Sequence, residues 1–453
     1  MFEGMPILIL TWLAVGISLV WLVSQKRRSS AGLPLAYFLG LSIVHVPGAF
    51  LYLGAAEWDY TRIGFEQTVI GMVAFLSGVT IAKCVFVTAP GKQASAGRPE
   101  DSITQSFAAF DRLALLYLGV GTVAYFVMLR VAALIPSATA IVGPLGSLII
   151  VGACLRLWVG RESKNWRKFW STIVGLPLLP LATVVQGGFI GFGTSWALAI
   201  MAFMFAQLKQ RVRFFLLAPV VCFVGLSVFV NYMIARNEIR QLVWYQQAEI
   251  GDKLQRIADV FQNNFEWLDP SNERHREAID LRLNMNFNVG VAVERLESGQ
   301  VKYASGATFG DMIMGLIPRA LWPDKPAIGG GGTIVHDFTG IDFAEGTSVG
   351  AGQVLEFYIN FGTLGVIGGF ALYGWLLGRM DSWVMECLYQ GDQRRFLFWF
   401  LISLALLQPG GNLLEVFTSA AGAAVTAYGI GYFIRGPWPT RGISILPRLA
   451  NRR

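Results

Sequence analysis

Long apolar runs recur along the chain and are separated by short polar segments. A helix needs about 20 predominantly apolar residues to cross the hydrocarbon core of a membrane. The pattern therefore predicts an all-α, polytopic integral membrane protein with about eleven transmembrane helices. The predicted spans lie near 5–24, 33–53, 67–88, 113–130, 134–155, 170–186, 193–208, 214–234, 350–378, 396–409 and 414–434.

Lysine and arginine concentrate in every second loop between these spans, and the alternation stays in phase along the chain. Loops rich in Lys and Arg stay in the cytoplasm, so we expect a periplasmic N-terminus and a cytoplasmic C-terminus in a bacterial-type inner membrane. A wrong number of spans would break the phase. The basic residues are Lys26, Arg27 and Arg28; Lys92, Arg98 and Arg112; Arg156, Arg161, Lys164, Arg167 and Lys168; Lys209, Arg211 and Arg213; Arg379, Arg394 and Arg395; and Arg435, Arg441, Arg448, Arg452 and Arg453.

The same pattern divides the chain into four parts. Residues 1–234 form an N-terminal bundle of about eight spans, and 235–349 form one large periplasmic loop with short helices. Residues 350–434 hold about three further spans, and 435–453 are a basic cytoplasmic tail.

The large loop is acidic, with 16 Asp and Glu against 11 Lys and Arg. Its apolar stretches, Phe287 to Val293 and Ile313 to Trp322, are too short to span a membrane. They fit core, interfacial or re-entrant helices better.

Composition supports a membrane protein and excludes other classes. The chain is 54% hydrophobic and 14% charged, whereas soluble domains carry about 25% charged residues. The net charge of +7 comes from loop residues beside apolar runs, so no nucleic-acid partner is expected. Cys84, Cys154, Cys222 and Cys387 lie in or beside apolar runs without metal-site spacing, which argues against disulfides and a zinc site.

The densest group of candidate functional residues lies at 317–326, where three prolines surround Arg319 and Lys325. Proline stiffens the backbone, so these cations would be held at set positions suited to a pyrophosphate. The alternative is a rim segment with cations that reach towards water. Glycines 329–332 lack a P-loop ending and predict a flexible connection or a moving lid. His336 follows, in either a structural or a direct role.

A second group opens the ninth predicted span. Gln353, Glu356 and Asn360 share one helix face, and Glu356 would lie about two turns into the membrane. It is a candidate general base or sugar-hydroxyl ligand, and the alternative is a hydrogen bond between helices. Glu57 and Asp59 form an acid-x-acid pair of a type that binds divalent metals, but this spacing is common by chance, and we predict no metal site.

From Arg282 to Gly365 the sequence resembles the Wzy-type O-antigen and exopolysaccharide repeat-unit polymerases. The resemblance rests on Arg282 before an apolar stretch, Gly-Ala-Thr-Phe at 306–309, Ile-Pro-Arg-Ala-Leu-Trp-Pro-Asp-Lys-Pro at 317–326, and Thr-Ser-Val-Gly-Ala-Gly-Gln-Val-Leu-Glu-Phe-Tyr-Ile-Asn-Phe-Gly at 347–362. The many spans and the single large loop also fit that family, which implies a GT-C-like fold. Ala351 departs from the pattern, because a proline is expected there.

The resemblance implies a membrane glycosyltransferase that uses undecaprenyl-diphosphate-linked oligosaccharides at the periplasmic face. By resemblance, Arg282, Arg319 and Lys325, with Arg236 less certain, would bind the departing diphosphate. Glu356 or His336 would accept the proton of the attacking hydroxyl. Trp322, Tyr358 and Asn360 would position sugar rings.

No cofactor is expected, because the donor is already activated. The expected partners are a polyprenyl-diphosphate-linked oligosaccharide and membrane lipid, and whether a chain-length regulator protein also binds stays open.

Two other functions remain open at this point. An O-antigen ligase shares the chemistry but transfers a finished glycan to a lipid acceptor. A lipid-linked glycan transporter or flippase would need charged residues deep within several spans, whereas here the charges concentrate at one face.

Overall fold

The computed structural model describes residues 4–433 except 26–29, 55, 57–58, 86–99, 133, 135–137, 209–211, 246–249, 264, 318–320, 323, 327 and 344–348. These residues form α-helices joined by short connections, with π-helical turns at Ala124–Met128 and Gln241–Tyr245 and no strand in the described ranges. The helices are α1 (Met5–Ser24), α2 (Leu33–Leu51), α3 (Tyr60–Val85), α4 (Glu100–Val123), α5 (Leu129–Ala132), α6 (Ala138–Gly146), α7 (Leu148–Glu162), α8 (Trp166–Val174), α9 (Leu178–Gly187), α10 (Ile190–Gln207), α11 (Val212–Arg240), α12 (Ile250–Asn263), α13 (Glu273–Leu283), α14 (Met285–Glu297), α15 (Ala307–Gly315), α16 (Gly331–Thr339), α17 (Gly352–Gln390), α18 (Gln393–Ala405) and α19 (Leu413–Phe433).

Helical segments that are long and apolar enough to cross a membrane number ten in the described part of the chain. They confirm the prediction of an all-α, multi-pass membrane protein. The segments are Met5–Ser24, Leu33–Leu51, Tyr60–Cys84, Phe107–Ala132, Ile141–Glu162, Trp166–Gly187, Ile190–Gln207, Ala218–Val243, Gly352–Gln390 and Leu413–Tyr432.

The predicted span at 396–409 is not a full transmembrane helix. It corresponds to α18, whose 13 residues extend about 20 Å, short of the roughly 30 Å hydrocarbon core. The chain then leaves helical geometry over 406–412, which include Pro409 and two glycines, before α19 begins. The backbone of this stretch is buried against α17, as Tyr373 donates a hydrogen bond to the Leu406 carbonyl at 2.6 Å.

At one end of the bundle, which we call the basal end, Asp381 bonds to groups on neighbouring helices. Its carboxylate lies 2.7 Å from the Lys83 ammonium, and both side chains are fully buried. It also accepts hydrogen bonds from the Ser30 hydroxyl at 2.6 Å and from the Leu33 N–H at 3.0 Å. A buried charge needs such partners, and this one joins α2, α3 and α17 where α2 begins and α3 ends.

At the opposite end, called the loop end, α14 packs deeply against α3. An added Cβ at Gly64 or at Gly290 would overlap backbone of the other helix, so the two glycines set the close approach. Asn286, at the start of α14, lies 2.6 Å from the His45 ring, which is six residues or about 9 Å before the end of α2. The predicted short apolar stretch from Phe287 is thus part of a core helix.

The long helix α17 is divided by a sharp reversal. Phe361 and Gly362 leave helical geometry, and Gly362 has a φ of 60°, which favours glycine. Residues 352–360, named α17a, form a short helix, and 363–390, named α17b, form the long one.

Glycines of α17b allow α17a to fold back upon it. An added Cβ at Gly365 would overlap the Phe357 carbonyl, and one at Gly369 would lie 2.6 Å from the Phe357 ring. The predicted span at 350–378 therefore begins later, with α17b, because residues 352–360 form a separate, buried helix.

Candidate functional site

Three arginines gather at the loop end of the bundle. Arg236 and Arg240 lie one turn apart on α11, and Arg282 lies on α13, which packs against α11. Burial, followed by the charges of Arg236 and Arg240, lowers the pKa of Arg282 from its ordinary value. The three arginines therefore lie near one another, and we call them the arginine cluster.

The turn between α9 and α10 fixes the position of the arginine cluster. The buried Tyr232 of α11 donates a hydrogen bond to the Gly188 carbonyl at 2.6 Å. The Arg240 guanidinium stacks over the Phe189 ring, 4.7 Å from the ring centroid. Sequence reasoning singled out Arg236 and Arg282 but missed Arg240, although its four-residue spacing from Arg236 places both on one helix face.

Glu356 is 1% exposed and its carboxylate is engaged within the protein. It accepts a hydrogen bond from the Leu413 N–H at the start of α19, and the Thr308 hydroxyl of α15 lies beside it. Asn360, one turn later, donates to Thr308 and accepts from the Gly306 N–H, both at 2.8 Å. This arrangement joins α17a, α15 and α19, which favours the helix-to-helix interpretation of Glu356 and Asn360.

The third member of that predicted helix face, Gln353, also makes internal contacts. Its amide donates to the Gln408 carbonyl at 2.7 Å and to the Gly411 carbonyl at 3.1 Å, and it accepts from the Tyr37 hydroxyl at 2.7 Å. The polar face of α17a thus satisfies the non-helical backbone between α18 and α19.

The aromatic residues predicted to position sugars differ in exposure. Tyr358 is buried and donates a hydrogen bond to Glu297 at 2.9 Å. Tyr303, whose ring centroid lies 6.5 Å from that of Tyr358, is 41% exposed. Trp322 is 37% exposed. Tyr303 and Trp322 therefore have accessible ring surface, whereas Tyr358 does not, and Tyr303 was missed by sequence reasoning.

His336 lies on the exposed side of α16. Its Nδ1 is 3.0 Å from a carboxylate oxygen of Asp342, and both side chains are accessible. When Nδ1 donates to that carboxylate, Nε2 is the proton acceptor. The guanidinium of Arg295 lies against Gly340, whose N–H bonds the His336 carbonyl at 2.7 Å. Sequence reasoning missed both Asp342 and Arg295.

Lys325 contacts the end of α15. Its ammonium donates to the Gly315 carbonyl at 3.3 Å and to the Ile317 carbonyl at 3.0 Å, where a cation is favoured by the carbonyls of a helix C-terminus. Arg319, its predicted companion, lies outside the described residues. A role for these two residues at a diphosphate stays a prediction.

The predicted acid-x-acid pair falls partly outside the described residues, which exclude Glu57. Asp59 accepts hydrogen bonds from the N–H groups of Thr61 and Arg62, so it caps the start of α3.

The separate groups lie on elements that touch at the loop end. Met285, three residues after Arg282, contacts Gly352 at the start of α17a. Gly331, the first residue of α16, lies against the backbone of Val349 and Ala351, just before α17a. The start of α14, the α17a helix and the His336 helix are therefore neighbours, and Arg282 lies three residues before α14 in the chain.

A cavity of about 350 Å³ lies elsewhere, between α4, α7, α8, α9 and α10, and contains none of these residues. Comparisons with protein-family models, with curated proteins and with solved structures found no match to this chain.

Proposed function

We propose that this chain joins lipid-diphosphate-linked oligosaccharide units into a longer glycan at the membrane surface. A hydroxyl oxygen of one unit attacks the anomeric carbon of the other and forms the new glycosidic bond. The bond from that carbon to the diphosphate oxygen breaks, and its electron pair leaves with the lipid diphosphate. The hydroxyl proton passes to a base of the protein.

The arginine cluster is the observation that carries this proposal. Three guanidinium groups on two helices that pack together, with Arg282 half-buried, form a dense positive patch that suits a ligand with several negative charges. A diphosphate has that charge, and arginine binds phosphate oxygens in pairs. The same contacts would stabilise the charge that develops as the diphosphate departs.

Accessibility favours His336 as the base. A general base must come within hydrogen-bond reach of the proton that it removes. His336 is exposed and is oriented by Asp342, whereas the Glu356 carboxylate is buried beside α15 and already bonded to α19. We assign Glu356 to positioning α17a, and we assign Tyr303 and Trp322 to contacts with the sugar rings.

A ligase would use the same chemistry, so the reaction itself does not separate the two functions. The segment at 317–326, which resembles the polymerases, supports a polymerase over a ligase. A transporter has less support. The deeply buried charges Lys83 and Asp381 bond each other, and Asp381 is also held by Ser30, so this pair has the contacts of a structural link.

The test is the glycan profile of a deletion strain that expresses either the wild type or a variant. We expect Arg282→Ala, at normal protein level, to give single-repeat glycans where the wild type gives long polymer. Arg274→Ala is the matched control, because Arg274 is an exposed arginine on the same helix. Long polymer from Arg282→Ala would remove the arginine cluster from the mechanism.

A further inference from the structure

A second cationic group is made of residues that the proposed function does not use. Arg130 is near the end of α5, and Lys253 is in the first turn of α12. These helices are far apart in sequence, and α9 lies between them in the fold. The Arg130 guanidinium donates to the Gln186 side chain of α9 at 2.9 Å. Gln186 in turn donates to the Tyr125 carbonyl at 3.2 Å, which fixes its orientation.

The packing of α12 brings Lys253 to the same place. Ile257, one turn after Lys253, packs with Val184 and Val185 of α9 in a small buried cluster. Residues four apart share a helix face, so Lys253 points towards the part of α9 that holds Gln186. Burial lowers the pKa of Lys253, and the positive charge of Arg130 lowers it further, which is consistent with this proximity.

Burial separates Lys253 from an ordinary surface lysine. The residue is 5% exposed, so it does not simply extend its ammonium into water. In the part of the chain that the structure describes, no carboxylate forms an ion pair with Lys253 or Arg130. The nearest acidic residue along α12, Asp252, is exposed. Two neighbouring positive charges, of which that of Lys253 is buried, destabilise the fold unless an anion binds between them.

The surroundings indicate where that anion comes from. Beside Arg130, the side chains of Val127, Val131 and Leu134 are exposed by 56%, 56% and 83%. This apolar surface ends a candidate membrane span, Phe107–Ala132, so it faces lipid tails. A cation pair at the end of a lipid-facing span lies at the depth of lipid headgroups.

We infer that Arg130 and Lys253, supported by Gln186, form a binding site for a phosphate group, and that the headgroup of an anionic membrane lipid fills it. The site holds lipid against α9 and α12 next to the α9–α10 turn. It does not depend on the proposed glycan chemistry, and neither of its cations belongs to the arginine cluster.

The test is a native mass spectrometry titration of the full chain in detergent, with phosphatidylglycerol or phosphatidylcholine of the same acyl chains. We expect the wild type to prefer phosphatidylglycerol. Arg130→Gln/Lys253→Gln should weaken phosphatidylglycerol binding about thirtyfold, since each cation near an anionic headgroup contributes about a factor of five. Arg274→Gln/Lys302→Gln removes two exposed loop cations and should leave the preference unchanged.

Arg130→Lys/Lys253→Arg keeps both charges and should keep the preference, which separates loss of charge from misfolding. An unchanged preference in the double Gln variant, or an equal loss in the control, overturns the site. A parallel titration with inorganic phosphate identifies the source of the anion. Phosphate binding without any preference for phosphatidylglycerol overturns the lipid as the occupant. No glycan substrate is present, so the result is independent of the polymerase proposal.

Discussion

Solvent accessibility distinguishes Glu356 from His336, the two residues that the sequence offers as candidate bases. Glu356 lies on a polar helix face near the membrane, which is a common setting for a functional carboxylate. In the fold it instead accepts a hydrogen bond from the Leu413 N–H and lies beside Thr308. His336 has no such helical pattern in the sequence. Its significance comes from Asp342, which the backbone turn after α16 places 3.0 Å from the ring.

His336→Gln should lower the rate of glycan transfer by about 10²- to 10⁴-fold at unchanged substrate binding, because a positioned base contributes about that much. Glu356→Gln should retain most of the rate, since the amide oxygen still accepts the Leu413 N–H. Single-turnover kinetics with purified protein and lipid-linked repeat units measure both. Loss of activity in a folded Glu356→Gln protein, with His336→Gln active, would reverse the two roles.

Individual cations were only partly predictable. Arg236 and Arg282 were selected by resemblance, and Arg240 follows from helical spacing once Arg236 is chosen. Arg295 has no local signal, because its position depends on the packing of α14 against α16. The pairing of Arg130 with Gln186 joins residues 56 positions apart, a relation that hydropathy does not contain.

Among the helices, two departures from the predicted spans share one physical origin. Hydropathy counts apolar residues, but it does not register where the backbone stops being helical. At 406–412 the freed carbonyls are satisfied by other parts of the protein, with Gln353 bonding Gln408 and Gly411. Irregular backbone is tolerated at membrane depth when it is buried in protein in this way. The α17 reversal depends likewise on glycines that admit Phe357.

The contact between α14 and α3 gives a prediction for stability. Gly290→Val would force a side chain into the Tyr60 backbone, so we expect a loss of about 1–3 kcal/mol in the free energy of unfolding. Thermal unfolding of the purified protein in detergent measures it. Gly310→Val is the control, because an added Cβ at this helical glycine meets no atom within 4 Å. Equal midpoints for the two variants would refute the close packing of α14.

Across the whole molecule, the alternation of basic loops and the contacts between helices agree. Residues from separate predicted cytoplasmic loops or nearby helix ends meet at the basal end. Gln207 donates to the Ser30 carbonyl at 2.9 Å and accepts from Arg161 at 2.8 Å. The helix directions that hydropathy and the basic loops predict place these residues at one end of the bundle, whereas the individual contacts depend on how the helices pack. The side of the membrane that the basal end faces stays a prediction of the basic loops.

The large loop was predicted to be periplasmic and to contain short helices, and two of its helices, α13 and α14, pack within the bundle. Hydrogen bonds of Asn286 to His45 and of Asn284 to Thr61 join α14 and the residue before it to α2 and α3. This packing brings Arg282 into the same assembly as α17a and α16. The candidate site is therefore a product of the whole fold, which explains why no single segment of the sequence displays it.

Incubation of purified protein with lipid-linked repeat units, followed by separation of the glycans by length, tests the central claim most directly. We expect the wild type to give a ladder of products spaced by one repeat, and Arg282→Ala to leave the single repeat unextended. Folding of the variant is checked by its unfolding midpoint. Failure of the wild type to form any new glycosidic bond, or an unchanged ladder from Arg282→Ala, would contradict diphosphate-driven glycan joining at the arginine cluster.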